Sequence, residues 1–162
     1  MPGFQRAEDF ELCDTDYRPF TLSEHMGERI MLAFFPNAFG PVCIREMGRF
    51  GESYDMFQKA NCRIIAVSKN SPSCLAEMRR RLGLPFTVLS DFNGEVSARY
   101  SGLYVDYNGV KGLTLSRRAI FIIGSELEIV YRWIGRMPDD EPEYEEIEGI
   151  LRKWGEKNAV IH

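Results

Sequence analysis

Long hydrophobic runs are missing from this 162-residue sequence. The longest, 30–35 and 119–123, fall far short of the ~20 residues that a membrane-spanning helix needs. The opening stretch, Met-Pro-Gly-Phe-Gln-Arg-Ala-Glu-Asp, lacks the apolar core of a signal peptide, so a cytoplasmic protein without a membrane partner is expected. An excess of basic charge is missing too: 20 Lys and Arg stand against 24 Asp and Glu, for a net charge of −4. Nucleic acids and anionic membranes call for a basic face, so neither is an expected partner. The one local cluster, Arg79, Arg80 and Arg81, reads as the solvated face of a helix. There are only two histidines, and the cysteines at 13, 43, 62 and 74 form no Cys-x-x-Cys pair. That leaves no ligand spacing typical of structural zinc. The four cysteines are expected as free thiols in a reducing compartment rather than as two disulfides, because the chain is long enough to bury a core without staples.

What is present is the material of one globular domain. Apolar residues make up 44% and aromatics 12%, which excludes a disordered composition, and no repeat, low-complexity segment or linker interrupts them. The segment 10–22 reads as an N-terminal hairpin turning at Asp14-Thr15-Asp16. The continuous apolar run 30–35, stopped by Pro36, reads as a strand buried on both faces. A helix follows, with Pro41 in its first turn, where a missing N–H is no loss. Cys43, Met47, Phe50, Tyr54 and Phe57 recur at spacings of four and three and form one face of it.

Residues 63–67 make the next buried strand. Ser71-Pro72 then serves as N-cap and first residue of a helix whose stripe is Leu75, Met78 and Leu82 and whose end is Gly83. A short strand at 86–89 precedes a small helix at 94–100, and 105–112 reads as a loop. Strands at 119–123 and 128–133 flank a turn at Gly124-Ser125-Glu126. A last helix starts near Pro142 and carries Tyr144, Ile147, Leu151 and Trp154. This order predicts an α/β chain with a central mixed sheet and helices on both faces, the order of the thioredoxin fold.

Cys43 lies in Phe35-Pro-Asn-Ala-Phe-Gly-Pro-Val-Cys43, straight after a buried strand and inside the first turn of a helix. Unpaired backbone N–H groups and the positive end of the helix dipole favour thiolate there, and the thiolate is the nucleophile. Position alone does not separate this from a small buried hydrophobe that begins the helix stripe.

The flanking residues add a resemblance. Pro36, Pro41, Val42, Cys43 and Glu46 resemble the active-site signature of peroxiredoxins, Pro-x-x-x-(Thr/Ser)-x-x-Cys. Further matches fall in family order: Phe10-Glu-Leu, Leu32-Ala-Phe-Phe-Pro36, Leu84-Pro-Phe86, Leu89-Ser-Asp91, Arg118-Ala-Ile-Phe121 and Tyr131-Arg-Trp133. The likeness spans roughly 10–154 and is greatest to the bacterioferritin comigratory branch and its one-cysteine relatives.

The resemblance implies that Cys43 attacks a peroxide and becomes a sulfenic acid, which a thioredoxin-like or small-thiol reductant recycles. It implies that Pro36 shields the sulfur, that Arg118 holds the thiolate and the peroxide oxygens, and that Glu46 orients Arg118. It implies no cofactor, and a monomer or homodimer. Strand alternation sends Arg117 and Arg118 to opposite faces, so only one of them reaches the site, and the family spacing to Phe121 picks Arg118. Gly40 departs from the pattern, for it stands where the family carries a hydroxyl.

The branch's second cysteine, five residues after the first, is replaced here by Gly48. Cys74, also at a helix N-terminus, is the remaining candidate to resolve Cys43, or else a buried first-turn residue beside Leu75. Cys13 and Cys62 read as structural strand residues. Three alternatives stay open: a slow redox sensor or binding module of the same fold, a thioredoxin-type oxidoreductase, and a Cys–His hydrolase. Glu46 at i+3 opposes the second, and nothing in the spacing of His25 or the final His162 supports the third.

Overall fold

A computed structural model of the chain describes Gly3 and residues 5–160. His162 lies outside them. The hairpin is formed by β1 (Glu11–Asp14) and β2 (Pro19–Thr21), with Leu12 opposite Phe20. The Asp14 carboxylate closes its turn by accepting the N–H groups of Asp16 at 2.8 Å and Arg18 at 3.0 Å. Next comes β3 (Arg29–Phe34), buried on both faces as its unbroken apolar run predicts. Ile30, Leu32 and Phe34 enter one core layer with Phe10 and Phe121, whereas Met31, Ala33 and Phe35 enter another with Met47 and Phe50.

The chain continues through α1 (Pro41–Glu52), α2 (Tyr54–Lys59), β4 (Cys62–Ser68), α3 (Pro72–Leu82), β5 (Thr87–Ser90) and α4 (Glu95–Tyr100). It ends through β6 (Leu103–Tyr104), β7 (Leu115–Ser116), β8 (Ala119–Ile123), β9 (Ile129–Ile134) and α5 (Tyr144–Val160). The main sheet has the order β2-β1-β5-β4-β3-β8-β9, with β5, β4 and β3 parallel and the outer pairs antiparallel. Apolar residues of α1, α2, α3 and α5 cover one face, and those of α4 cover the other. Among the described residues, no helix is long and apolar enough to cross a membrane.

Three details depart from the sequence reading. The single helix expected from Cys43 to Phe57 breaks at Ser53, whose backbone angles are φ −90° and ψ 8°. The stripe resumes in phase, so Phe50 still meets Phe57 with ring centres 6.2 Å apart, and periodicity alone is blind to the break. The loop expected at 105–112 is there, but β6 and β7 close it into a ribbon. Strands of two residues leave no period to read. Of the arginine cluster, Arg80 and Arg81 face solvent and pair with Glu77, whereas the Arg79 Nε donates to the Phe86 carbonyl at 2.8 Å.

Because β3 and β4 run parallel, α1 and α3 both start at the same edge of the sheet. That is the edge where α/β folds usually gather their functional groups.

Candidate active site

Cys43 is the third residue of α1 and only 3% exposed. Gly40 is the N-cap, with φ −65° and ψ 140°, an extended conformation open to any residue. Pro41 takes the first helical position, as expected. Between β3 and the helix, the loop turns through Phe39, a non-glycine residue with φ 66°. This turn brings the Asn37 backbone N–H to the Cys43 sulfur, where it favours the anion.

Arg118 reaches the same sulfur from the start of β8. It precedes β8 by one residue, is 1% exposed, and its Nη1 donates to Cys43 Sγ at 3.4 Å. The same Nη1 donates to Glu46 Oε1 at 2.8 Å, and Nη2 donates to the Pro138 carbonyl at 3.1 Å. Glu46 lies one turn beyond Cys43 and is fully buried. Arg117 points away: its Nε and Nη2 donate to the Gly135 carbonyl at 3.1 and 2.7 Å. Alternation thus separates the two arginines as predicted, and Arg118 is the one at the sulfur.

Burial is the largest influence on the charges here. It pushes the Cys43 thiol up, against the opposite pulls of Arg118 and the Asn37 N–H, and Glu46 adds to the rise. This opposes the sequence expectation that a helix start leaves the thiol acidic, because the dipole acts on a sulfur that has lost its water. Burial also pushes the Glu46 carboxyl up to about 7, with Arg118 pulling it down. Glu46 Oε2 and Arg118 Nε are buried without a hydrogen-bond partner, so each retains capacity for one more bond.

A pocket of about 240 Å³ opens onto this group, lined by Pro36, Asn37, Gly40, Cys43 and Arg118 together with Tyr107, Asn108 and Pro138. Pro36 is buried beside the sulfur. The expected residues Cys43, Pro36, Gly40, Glu46 and Arg118 therefore come together. Cys74 does not line the pocket; it is half-buried in the first turn of α3, and its N–H donates to Ser71 Oγ at 3.4 Å. Sequence reasoning missed the Asn37 N–H, the Pro138 carbonyl and the Tyr107–Asn108 wall. The first sat inside the motif and was legible as a backbone donor. The others lie 64 to 95 positions from Cys43 along the chain (107 − 43 and 138 − 43), with no local pattern to link them.

A model of the AhpC/TSA family matches residues 4–132. The chain belongs to this family, the peroxiredoxins.

A peroxiredoxin of Thermoplasma volcanium is 30% identical over 154 residues, covering 91% of this chain and 70% of that protein. Chloroplastic peroxiredoxin Q of rice (Oryza sativa subsp. japonica) is 30% identical over 125 residues, 77% of this chain. The match spans 55% of the rice protein's length. Among solved structures, peroxidoxin BcpB of Mycobacterium tuberculosis superposes with a TM-score of 0.79 at 22% identity, covering 94% of this chain and 97% of that one. A cysteine-to-serine mutant of PrxQ from Xylella fastidiosa gives 0.80 at 20% identity, covering 94% and 96%. This peroxiredoxin therefore has the thioredoxin fold expected from its element order.

Proposed function

We propose that the chain is a thiol-dependent peroxidase that reduces hydrogen peroxide and organic hydroperoxides at Cys43. One observation carries the reading. Arg118 Nη1 stands 3.4 Å from the Cys43 sulfur and is anchored by the buried Glu46 carboxylate, so a cationic fork is fixed where a peroxide would meet the sulfur. In the reaction the sulfur attacks the terminal peroxide oxygen, an S–O bond forms and the O–O bond breaks. The thiol proton ends on the departing oxygen, giving ROH and a sulfenic acid. Arg118 stabilises the charge that moves from sulfur to oxygen, Pro36 limits water, and Glu46 keeps the guanidinium aimed.

A thiol donor, thioredoxin-like or small, then condenses with the sulfenic acid, and a second thiol releases Cys43 as a disulfide forms. The organic part of the substrate range draws support from the bacterioferritin comigratory protein of Xanthomonas campestris. Its structures concern alkyl peroxide reduction, and it shares this fold with a TM-score of 0.74 at 18% identity. All four cysteines are free thiols, in keeping with a reducing, cytoplasmic setting.

Cys74 is the internal candidate to resolve the sulfenic acid. Both helix starts lie at one sheet edge, yet Cys74 lies outside the pocket at Cys43, and a disulfide needs Cα atoms within ~7 Å. Resolution by Cys74 therefore requires a first turn to open, and an external thiol competes during that wait. Gly40, which brings no hydroxyl to the pocket, favours the second reading, a slow redox sensor. One assay separates the two. Peroxide consumption with excess dithiol should show many turnovers, lost in Cys43→Ser and retained in Cys13→Ser and Cys62→Ser. A single equivalent consumed, without turnover, supports the sensor; consumption that survives Cys43→Ser defeats both.

A further inference from the structure

The loop that aims the Asn37 N–H at the sulfur is not stable by its own geometry. Phe39 holds φ 66° in it, a conformation that side-chain-bearing residues keep only when their surroundings enforce it. Outside the motif, the Arg81 guanidinium lies 5.3 Å from the Phe39 ring centre, and one further side chain holds the backbone itself. Asn70 Oδ1, from the turn between β4 and α3, accepts the Ala38 backbone N–H at 3.0 Å, and Asn70 Nδ2 donates to the Asn37 side-chain oxygen at 3.4 Å.

Asn70 is itself clamped to the ends of two parallel strands. Ser68 Oγ donates to Asn70 Oδ1 at 2.5 Å and accepts the Asn70 N–H at 3.2 Å. From the neighbouring strand, Ser90 Oγ donates to the Asn70 carbonyl at 2.7 Å. Ser68 and Ser90 are register partners on β4 and β5, so the clamp rests on the rigid centre of the sheet.

We infer that Asn70 is a positioning residue for Cys43, holding the 36–40 loop through the Ala38 N–H so that the Asn37 N–H stays on the sulfur. Asn70 touches no reacting atom. It acts by fixing where a backbone donor points, and misplacement of about 1 Å is enough to cost a reaction ~10²-fold. The neighbouring residues extend the same hold: Lys69 Nζ donates to the Thr114 carbonyl at 2.9 Å, tying in the loop that carries Tyr107 and Asn108.

The inference rests on the peroxidase reading for its meaning, but its test does not need that activity. Cys43 alkylation by iodoacetamide, followed by peptide mass across a pH series, reports how readily the thiolate forms. In Asn70→Ala the alkylation midpoint should move to higher pH, since the sulfur loses an aimed donor. The second-order rate of Cys43 oxidation by hydrogen peroxide should fall ~10-fold or more. Asn70→Asp keeps an acceptor for the Ala38 N–H and should recover most of that rate. A merely structural Asn70 would lower the melting temperature of Asn70→Ala and leave midpoint and rate where they were, which overturns the inference. An Asn70→Asp as slow as Asn70→Ala overturns it as well. A wild-type chain that alkylates at Cys43 yet consumes no peroxide defeats the peroxidase reading alone, and the alkylation midpoint still decides the role of Asn70.

Discussion

Cys43 and Cys62 belong to the same apolar layer, 3% and 6% exposed, at opposite ends of the parallel strands β3 and β4. Each also has an arginine nearby. Burial pushes the Cys62 thiol up to about 12, with Arg29 pulling the other way. Arg29 is turned elsewhere: its Nη1 donates to the Ala60 carbonyl at 2.7 Å, and its guanidinium stacks 4.6 Å from the Trp154 ring centre. At Cys43 the arginine donates to the sulfur itself, a backbone N–H adds to it, and a buried carboxylate holds the arginine in place. Burial and a neighbouring cation are thus shared by both sulfurs. What differs is whether donors are aimed at the sulfur, and that depends on a helix start and a strand end converging on one edge.

The largest contrast lies in reactivity. At pH 8 the folded protein should alkylate Cys62 at least ~10³-fold more slowly than the unfolded chain does, because a thiol near 12 carries almost no thiolate. Timed iodoacetamide labelling with mass mapping reads this directly, and rapid Cys62 labelling in the native state would erase the distinction drawn from burial. Next come the two arginines. Arg118→Ala should slow Cys43 oxidation by ~10² or more through loss of its charged donors. Arg29→Ala should lower the melting temperature and leave that rate unchanged, and Arg117→Ala should behave like Arg29→Ala.

Gly40→Thr is a smaller test. Its φ of −65° suits threonine, but the new Cβ would lie 3.2 Å from the Asn37 carbonyl oxygen and 3.6 Å from Cys43 Sγ. If the loop yields the few tenths of an ångström needed, a hydroxyl hydrogen bond of about 1 kcal/mol raises the peroxide rate about 5-fold. A slower variant with an unchanged melting temperature would mean that the glycine is required for space.

A further test concerns Glu46, whose folded value of about 7 lies above its ordinary 4.5. A carboxyl raised on folding contributes stability that is complete below pH 4.5 and lost as pH rises through 7. Urea unfolding of the wild type should therefore lose stability across that window, and Glu46→Gln should lose less. Parallel pH profiles for the two proteins would show that the carboxylate is charged throughout.

Most of the architecture could be read from periodicity and punctuation. The two-sided burial of β3, the Pro41 and Ser71-Pro72 helix starts and the αL Gly83 are local features with local causes. So is the meeting of Cys43 and Glu46, one helical turn apart. The choice of Arg118 over Arg117 needed only strand alternation and a family spacing. The break at Ser53 and the β6–β7 ribbon escaped, since neither disturbs a hydrophobic period. The Pro138 carbonyl and the Asn70 clamp escaped for a different reason: they exist only once distant segments are packed together, and an asparagine in a turn looks the same whether or not it holds another loop.

The central claim is that one sulfur of four is built to meet peroxide, and a single pulse tests it. The reduced protein receives one equivalent of hydrogen peroxide in the presence of a sulfenic-acid trap such as dimedone, and each cysteine peptide is then weighed. The expected result is a trap adduct on Cys43 alone, formed within the pulse, absent in Cys43→Ser and sharply reduced in Arg118→Ala. An adduct that forms equally on Cys13, Cys62 or Cys74, or peroxide consumed with Cys43 unmodified, would contradict it.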